Sequence, residues 1–184
     1  DQGFKDLRVF SNYGAILKNL GKLQEAEVFT RQAIQLKPDF ASAHNNLGNV
    51  LSNIGKLPES ELSARKAIKI NPDFAMAHLN LGCILRDLGK LDQAELSIRK
   101  AIKINPDFGM AHYNLGNILK DLGKRENALD SLYKAIELLK DNNLCLTAIG
   151  ELLLAQGNHA EGVIKLKAGA GTIQFDLKNG LSIN

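Results

Sequence analysis

The sequence contains no tryptophan, and aromatic residues make up only 5 % of its 184 positions. A compact core of this size would normally use more large rings. We therefore expect burial to be spread over many small contacts between Ala, Leu and Ile side chains. Apolar residues make up 45 % and charged residues 23 %, which is ordinary for a folded protein and argues against disorder.

Cysteine is also scarce, with only Cys83 and Cys145 and no CxxC pair. This pattern excludes a disulfide framework and favours a reducing compartment, so we expect a cytoplasmic protein. No apolar run approaches the length of a membrane span, and no signal peptide opens the chain. The first residue is Asp rather than Met, which favours a segment of a longer protein.

Charge of one sign is not in excess, because 23 basic residues face 20 acidic ones and the net charge is +3. The two signs are interleaved along the chain and leave no basic stripe of the kind that nucleic acids require. We expect neither nucleic acid nor a membrane among the partners.

A 34-residue repeat covers most of the sequence, and its copies align without a gap. Residues 1–6 form a lead-in to the array. The five copies span residues 7–40, 41–74, 75–108, 109–142 and 143–176. They are called repeats 1 to 5 below, and positions are counted from the start of each.

Small residues recur at fixed positions of every repeat. Position 8 is always Gly, as in Gly48, although Gly costs about 1 kcal/mol in a helix, so we expect a neighbouring helix to approach closely there. Position 15 is also always Gly, which suits the left-handed end of a first helix. Pro58 suits a first turn, and Pro72 at position 32 closes a second helix.

Each repeat is therefore predicted to be a helical hairpin. In repeat 2, helix A covers residues 41–54 and helix B covers residues 58–70. The apolar positions of helix A form one continuous arc, which a single hairpin cannot bury. Stacked hairpins can bury it, so the array is predicted to be an all-α solenoid.

These features resemble the tetratricopeptide repeat, which has Leu-Gly at positions 7 and 8, Ala at 20 and 27 and Pro at 32. The recurring AHxNLG motif is most similar to the repeats in the arm of O-linked N-acetylglucosamine transferase-type proteins. The resemblance implies an α-α superhelix of about five repeats. Position 4 departs from the usual aromatic, with His44, His78 and His112 in the middle repeats. We interpret these histidines as packing residues, since equivalent positions of stacked repeats do not converge on a metal.

In the transferase-type superhelix, helix A positions 2, 6, 9 and 13 line a concave groove, and Asn at position 6 forms a ladder along it. A carboxamide can both donate and accept, as a peptide backbone does, so the ladder could bind an extended peptide. Alternatively, each Asn bonds to a neighbouring helix or to water. The candidate ladder residues are Asn12, Asn46, Asn80 and Asn114.

Other residues near the ladder are further candidates for contact with a peptide. They could supply apolar anchors and polar contacts, or they could pack against adjacent A helices. They are Asn49, Asn117, Met76, Leu79, Met110, Tyr113, Arg86 and Lys120. Cys83 lies among them, but no base stands beside it to activate a nucleophile.

The tail changes period after repeat 5. Alternating apolar residues flank Asn179 and Gly180, which is a strong signal for a β-hairpin over residues 172–184. This hairpin could cap the last helix, begin a following domain, or insert into a neighbour's groove. The tail and the end faces of the array could also support self-association.

Two hypotheses for function follow. The first is a non-catalytic scaffold, without cofactor or metal, that holds an extended peptide in the concave groove. The second is the recognition arm of a larger modifying enzyme, such as a glycosyltransferase. RNA binding by a pentatricopeptide-like array fits poorly, because that period is usually one residue longer.

Overall fold

The computed structural model describes residues 7–140, 142–170, 173–176 and 180–183, with side chains described over 9–140 and 142–169. The chain divides into two compact units, Asp1–Asn105 and Pro106–Asn184, called the N-terminal and C-terminal units below. The lead-in 1–6 and the hairpin turn at 177–179 lie outside the described residues.

Consecutive helices alternate between the A and B members of each hairpin, and only short turns separate them. The N-terminal unit contains α1 (Leu7–Asn19), α2 (Leu23–Leu36), α3 (Ala41–Ile54), α4 (Leu57–Ile70), α5 (Ala75–Asp87) and α6 (Leu91–Ile104). The C-terminal unit contains α7 (Gly109–Asp121), α8 (Arg125–Leu138), α9 (Asn143–Ala155) and α10 (His159–Ala170). None of the described helices is long and apolar enough to cross a membrane.

The predicted helix boundaries hold closely in repeat 2. Helix α3 has the predicted bounds, and α4 begins one residue before Pro58, which lies in its first turn. Gly55 caps α3 with φ of 89° in the left-handed region, as position 15 predicts. Pro72 follows the end of α4, where its ring prevents the helix from continuing.

In the N-terminal unit, each A helix packs on its own B helix and each B helix packs on the next A helix. Consecutive A helices, α1 with α3 and α3 with α5, also approach each other directly. Within the described residues, consecutive B helices approach less closely. The A helices therefore form the tighter, inner layer of this unit, and the B helices form its outer layer.

Small residues carry much of this packing, as the scarcity of aromatics predicts. Ala26, Ala33, Ala43 and Ala67 are fully buried. One cluster joins Leu17, Ala26 and Val50 from three successive helices, with Phe29 and Ile54 packed against it. Because these contacts link α1, α2 and α3, no single hairpin could form this cluster alone.

The C-terminal unit repeats the arrangement in α7 to α10, with α8 packed on α9 and α7 in contact with α9. Two strands follow, β1 (Ile173–Asp176) and β2 (Gly180–Ile183). They pair antiparallel, with Ile173 opposite Ile183 and Asp176 opposite Gly180. The backbone of β1 contacts α10.

The close approach expected at position 8 involves the B helix of the same hairpin. A Cβ on Gly82 would lie 2.6 Å from Ile98 Cγ1 and 3.3 Å from the Ala94 carbonyl oxygen. At Gly48 the nearest atom is the Ser60 carbonyl oxygen, at 3.4 Å. The residue opposite Gly48 is Ala64, which leaves more room than Ile98 does.

This difference predicts opposite effects for the same substitution in adjacent repeats. Gly82→Ala forces a methyl group against Ile98 and should destabilise the protein by about 1–3 kcal/mol. Gly48→Ala should be neutral or stabilising by up to about 1 kcal/mol, because helix propensity improves without a clash. Urea unfolding of both variants, followed by circular dichroism, measures the two changes in stability. Equal unfolding midpoints for the two variants would contradict the argument that Ala64 leaves more room for a methyl group than Ile98 does.

Candidate functional site

The candidate site lies on the inner layer of the N-terminal unit, on the face of each A helix formed by positions 2, 6, 9 and 13. We call it the A-helix face. In α3 it contains Asn46 and Asn49, and in α5 it contains Met76, Asn80 and Cys83. Because α3 and α5 pack side by side, these residues lie on adjacent helices of one layer.

Two of the predicted ladder residues of this unit, Asn46 and Asn80, bond to the preceding A helix. Asn46 Nδ2 donates to Ser11 Oγ at 3.0 Å and to the Ser11 carbonyl oxygen at 3.3 Å. Asn80 Nδ2 donates to Asn45 Oδ1 at 2.8 Å. The sequence left this alternative open, and the structure shows that these two carboxamides connect neighbouring A helices. Asn12, in α1, is exposed.

The other candidates of the N-terminal unit differ in exposure. Met76 is 43 % exposed, so its side chain is accessible to a ligand. Asn49 and Arg86 are half-buried. Leu79 is only 7 % exposed. This burial favours the alternative that Leu79 packs against neighbouring helices, and its contact with a peptide stays a prediction.

In the C-terminal unit, Asn114 donates from Nδ2 to the Met110 carbonyl oxygen at 2.8 Å, one turn earlier in its own helix. Met110 is 41 % exposed, and Tyr113 is half-buried. Lys120 forms an ion pair with Glu151 at 2.8 Å. Asn117 is 6 % exposed, which favours packing over an open contact, and its contact with a peptide stays a prediction.

The repeated histidines fix the turns between repeats. His44 Nε2 lies 2.9 Å from the Pro38 carbonyl oxygen, and the same distance joins His78 to Pro72 and His112 to Pro106. Since a carbonyl only accepts, Nε2 carries the proton and donates. These contacts support the interpretation of the histidines as structural. No group of His, Cys, Asp or Glu among the described residues is arranged to hold a metal ion.

Cys83 is a poor candidate for a nucleophile. Burial raises the pKa of its thiol to about 11, and the neighbouring Asp87 carboxylate adds to this rise, while Arg86 opposes it. The thiol therefore stays protonated near neutral pH.

A charge network that repeats along the B helices was not predicted from the sequence. Glu61 accepts from Arg65 Nε at 2.9 Å in its own helix and from Lys90 Nζ at 2.7 Å in the next hairpin. Glu27 makes the same pair of contacts with Arg31 and Lys56. The spacing of Glu at position 21, Arg at 25 and Lys at 16 was visible in the sequence, and it could have been found by comparing charged positions across repeats.

These partners lower the pKa of both carboxyl groups. Hydrogen bonds from Lys90 and then Arg65 outweigh the burial of Glu61, which alone would raise its pKa. At Glu27, burial is the largest influence and would raise the pKa, but the combined contacts from Arg31 and Lys56 lower it. The network therefore joins consecutive hairpins most strongly while both carboxylates are charged.

Family comparison identifies the class of protein. Models described as "Tetratricopeptide repeat" match residues 75–108 and residues 7–40, 41–74 and 111–142. The chain belongs to the tetratricopeptide repeat family, whose fold serves protein–protein interaction. A comparison with curated protein sequences finds no match.

Solved structures share this fold. PilF of Pseudomonas aeruginosa is 19 % identical with a TM-score of 0.82, covering 90 % of this chain and 77 % of its own. A thermophilic tetratricopeptide protein of Thermus thermophilus is 21 % identical with a TM-score of 0.76, covering 89 % of each chain. YrrB, a tetratricopeptide protein with an unusual peptide-binding site, is 20 % identical with a TM-score of 0.68, covering 89 % of this chain and 84 % of its own.

The charge network predicts a pH-dependent loss of stability. Because the pKa of Glu61 is lowered on folding, its stabilisation is present above the ordinary glutamate value of 4.5 and is lost as the pH falls through the lowered value. Glu61→Gln should therefore be less stable at neutral pH by about 0.5–1 kcal/mol. The difference from the original protein should shrink in acid. Urea unfolding at several pH values measures it.

Glu59→Gln is the matched control, since the Glu59 side chain is 54 % exposed and its carboxylate reaches Arg31 only at 3.4 Å. It should change stability less than Glu61→Gln does. A Glu61→Gln penalty that stayed constant from neutral to acidic pH would contradict the assignment of the network to charge.

Alkylation tests the state of Cys83. In a Cys145→Ser variant, the rate of reaction of folded protein with iodoacetamide should keep rising with pH towards the raised pKa of about 11. Mass spectrometry would follow the modified fraction. A plateau near the ordinary cysteine value of 9.0 would contradict the burial and charge argument.

Proposed function

We propose that the A-helix face binds an extended polypeptide segment and that its Asn carboxamides pair with the backbone of that segment. The chain belongs to a family of interaction modules, and the structurally similar YrrB has a peptide-binding site. The observation that carries the proposal is the fixed orientation of Asn46 and Asn80 on adjacent inner helices. The proposal is the same whether the array acts alone or as the recognition arm of a larger enzyme.

The bonds to the preceding helix leave hydrogen-bonding capacity for a ligand. Each carboxamide has two N–H groups and an oxygen. Asn46 and Asn80 bond to Ser11 and Asn45 only by donating N–H groups. The Oδ1 atoms of Asn46 and Asn80 have no hydrogen-bond partner among the described residues. They can accept from the backbone N–H groups of a peptide. Because both side chains are already held in place, little conformational entropy is lost on binding.

An apolar contact would add to the backbone pairing. Met76 stands on the same face of α5 as Asn80, one turn towards the N-terminus, and its side chain is 43 % exposed. A methionine on such a surface adapts to different apolar side chains. The combination favours broad selectivity, with backbone pairing from Asn and a loosely specified apolar side chain at Met76.

The C-terminal unit offers a related set of residues. Met110 is exposed, Tyr113 and Lys120 are half-buried, and Asn114 holds the same repeat position as Asn80. In the proposed function these residues contact a polypeptide segment in the same manner. Asn12 does so in the first repeat, where its side chain is exposed.

Backbone recognition predicts a specific pattern of loss. The double variant Asn46→Ala and Asn80→Ala should weaken binding of peptides selected from a random display library by roughly 30-fold, because two hydrogen bonds of about 1 kcal/mol are lost. N-methylation of single amides in a selected peptide should weaken binding by about fivefold at the paired positions. Isothermal calorimetry measures both effects.

Asn45→Ala is the matched control, because it removes the partner of Asn80 and leaves the Asn80 carboxamide in place. It should reduce stability more than it reduces affinity. If Asn45→Ala and Asn80→Ala weaken binding equally, the carboxamide acts through packing and the backbone ladder is wrong. Unchanged affinity in the folded double variant would also contradict it.

A further inference from the structure

Two clefts open on the outer side of the N-terminal unit, between consecutive B helices. The first cleft, of about 460 Å³, lies between α4 and α6 above α5. The second cleft, of about 370 Å³, lies between α2 and α4 above α3. They exist because the B helices stand further apart than the A helices do.

The two clefts are the same structural feature one repeat apart. His78 and Leu81 line the first at the positions where His44 and Leu47 line the second. Ile68 and Leu96 correspond in the same way to Ile34 and Leu62. Leu96 and Leu62 are each 70 % exposed, so both clefts present an unusually open apolar edge.

Charge distinguishes the first cleft from the second. Three cations line it, Arg65, Lys69 and Lys100, of which Arg65 is paired with Glu61, and none of the described lining residues is acidic. Neither Lys69 nor Lys100 forms an ion pair with another described residue. A net positive charge therefore surrounds an apolar surface, and an acidic ligand would complement it.

The second cleft is less cationic because of two sequence differences. Gln35 lines it where Lys69 lines the first cleft, and Glu59 stands where the next repeat has Gln93. Arg31 and Lys66 line it, and Arg31 also contacts Glu59 of α4 at 3.4 Å. The residue equivalent to Glu59 in the next repeat is Gln93, which accepts from Arg65 at 3.2 Å without adding negative charge. Lys69 in place of Gln35 and Gln93 in place of Glu59 thus leave the first cleft with more uncompensated positive charge.

From this contrast we infer that the first cleft is a second binding site, for an acidic protein segment that carries a bulky apolar side chain. The apolar side chain packs on Ile68 and Leu96, above the buried Leu85, and flanking carboxylates pair with Lys69 and Lys100. The volume of the cleft lies within the range of about 300–1,000 Å³ typical of binding pockets.

This site is distinct from the A-helix face. Helix α5 contributes His78, Leu81 and Leu85 to the first cleft, whereas Met76 and Asn80 lie on the A-helix face. At 100° per residue, these two sets point to different sides of the helix. The protein could therefore hold two segments at once, one on each layer.

The test uses three heptapeptides with blocked ends, added to the whole chain labelled for NMR. The first has a central Leu flanked by Asp and Glu, the second has the same Leu flanked by Lys, and the third has a central Ser flanked by Asp and Glu. Only the first should shift the methyl resonances of Ile68, Leu85 and Leu96. The shifts should weaken as salt is raised, because the rim charges are exposed.

Charge reversal separates the two clefts. The double variant Lys69→Glu and Lys100→Glu should weaken binding of the acidic Leu peptide by about tenfold or more. Lys66→Glu, in the second cleft, is the matched control and should change it by less than about twofold. Because all three lysines are exposed, these substitutions leave the packing intact. Leu96→Ser should weaken binding, and Leu62→Ser should not.

Several results would overturn the inference. One is the absence of methyl shifts at the first cleft, and another is equal response to the acidic and basic peptides. Shifts confined to the A-helix face would assign the peptide to the other site. Shifts that follow protein concentration without peptide would make the cleft a contact between copies of the chain. The Asn variants of the A-helix face should leave this binding unchanged, so the two proposals can fail separately.

Discussion

The close contact between the two helices of each hairpin is the constraint on which the other features depend. A glycine at position 8 lets the A helix approach a B-helix carbonyl, such as Ala94, within a distance that a Cβ would disturb. That approach fixes which side of each helix is buried. It leaves one side of the A helix for the inner layer and one side of the B helix for the outer layer. Both candidate sites are surfaces that this contact leaves uncovered.

Contacts between hairpins then set the order of the stack. Three kinds recur in the N-terminal unit: the histidine bond to a proline carbonyl, the carboxamide bond between A helices, and the charge network between B helices. The first is largely buried and short, so it holds the turn in place. The network on the outer layer is more exposed and contributes less per contact. The inner layer is therefore held more firmly than the outer layer, whose helices leave clefts.

Features that follow from the backbone requirement of a single residue were predictable from the sequence. Features that depend on which helix packs nearby were not. Gly55, Pro58 and Pro72 have backbone requirements that the residue type itself expresses, so the turns followed directly. For Leu79 the sequence left open whether the side chain meets a ligand or packs on a helix, because helical spacing assigns a face but not what packs against it. For Asn80 the spacing was right, but the acceptor lies 35 residues earlier, and no local pattern distinguishes a neighbouring helix from a ligand.

Variation between repeats is where function can arise in such an array. Residues that hold the hairpins together must recur, because every hairpin makes equivalent contacts with its neighbours. A residue that differs at an equivalent, exposed position is released from that requirement. Glu59 and Gln93 form such a pair: each meets an arginine of the preceding B helix, yet only Glu59 supplies negative charge. The scaffold tolerates the change, and the surface beside it becomes more cationic. At the outer clefts, therefore, a departure from the repeat is the guide to a ligand, whereas on the A-helix face the guide is the recurring Asn.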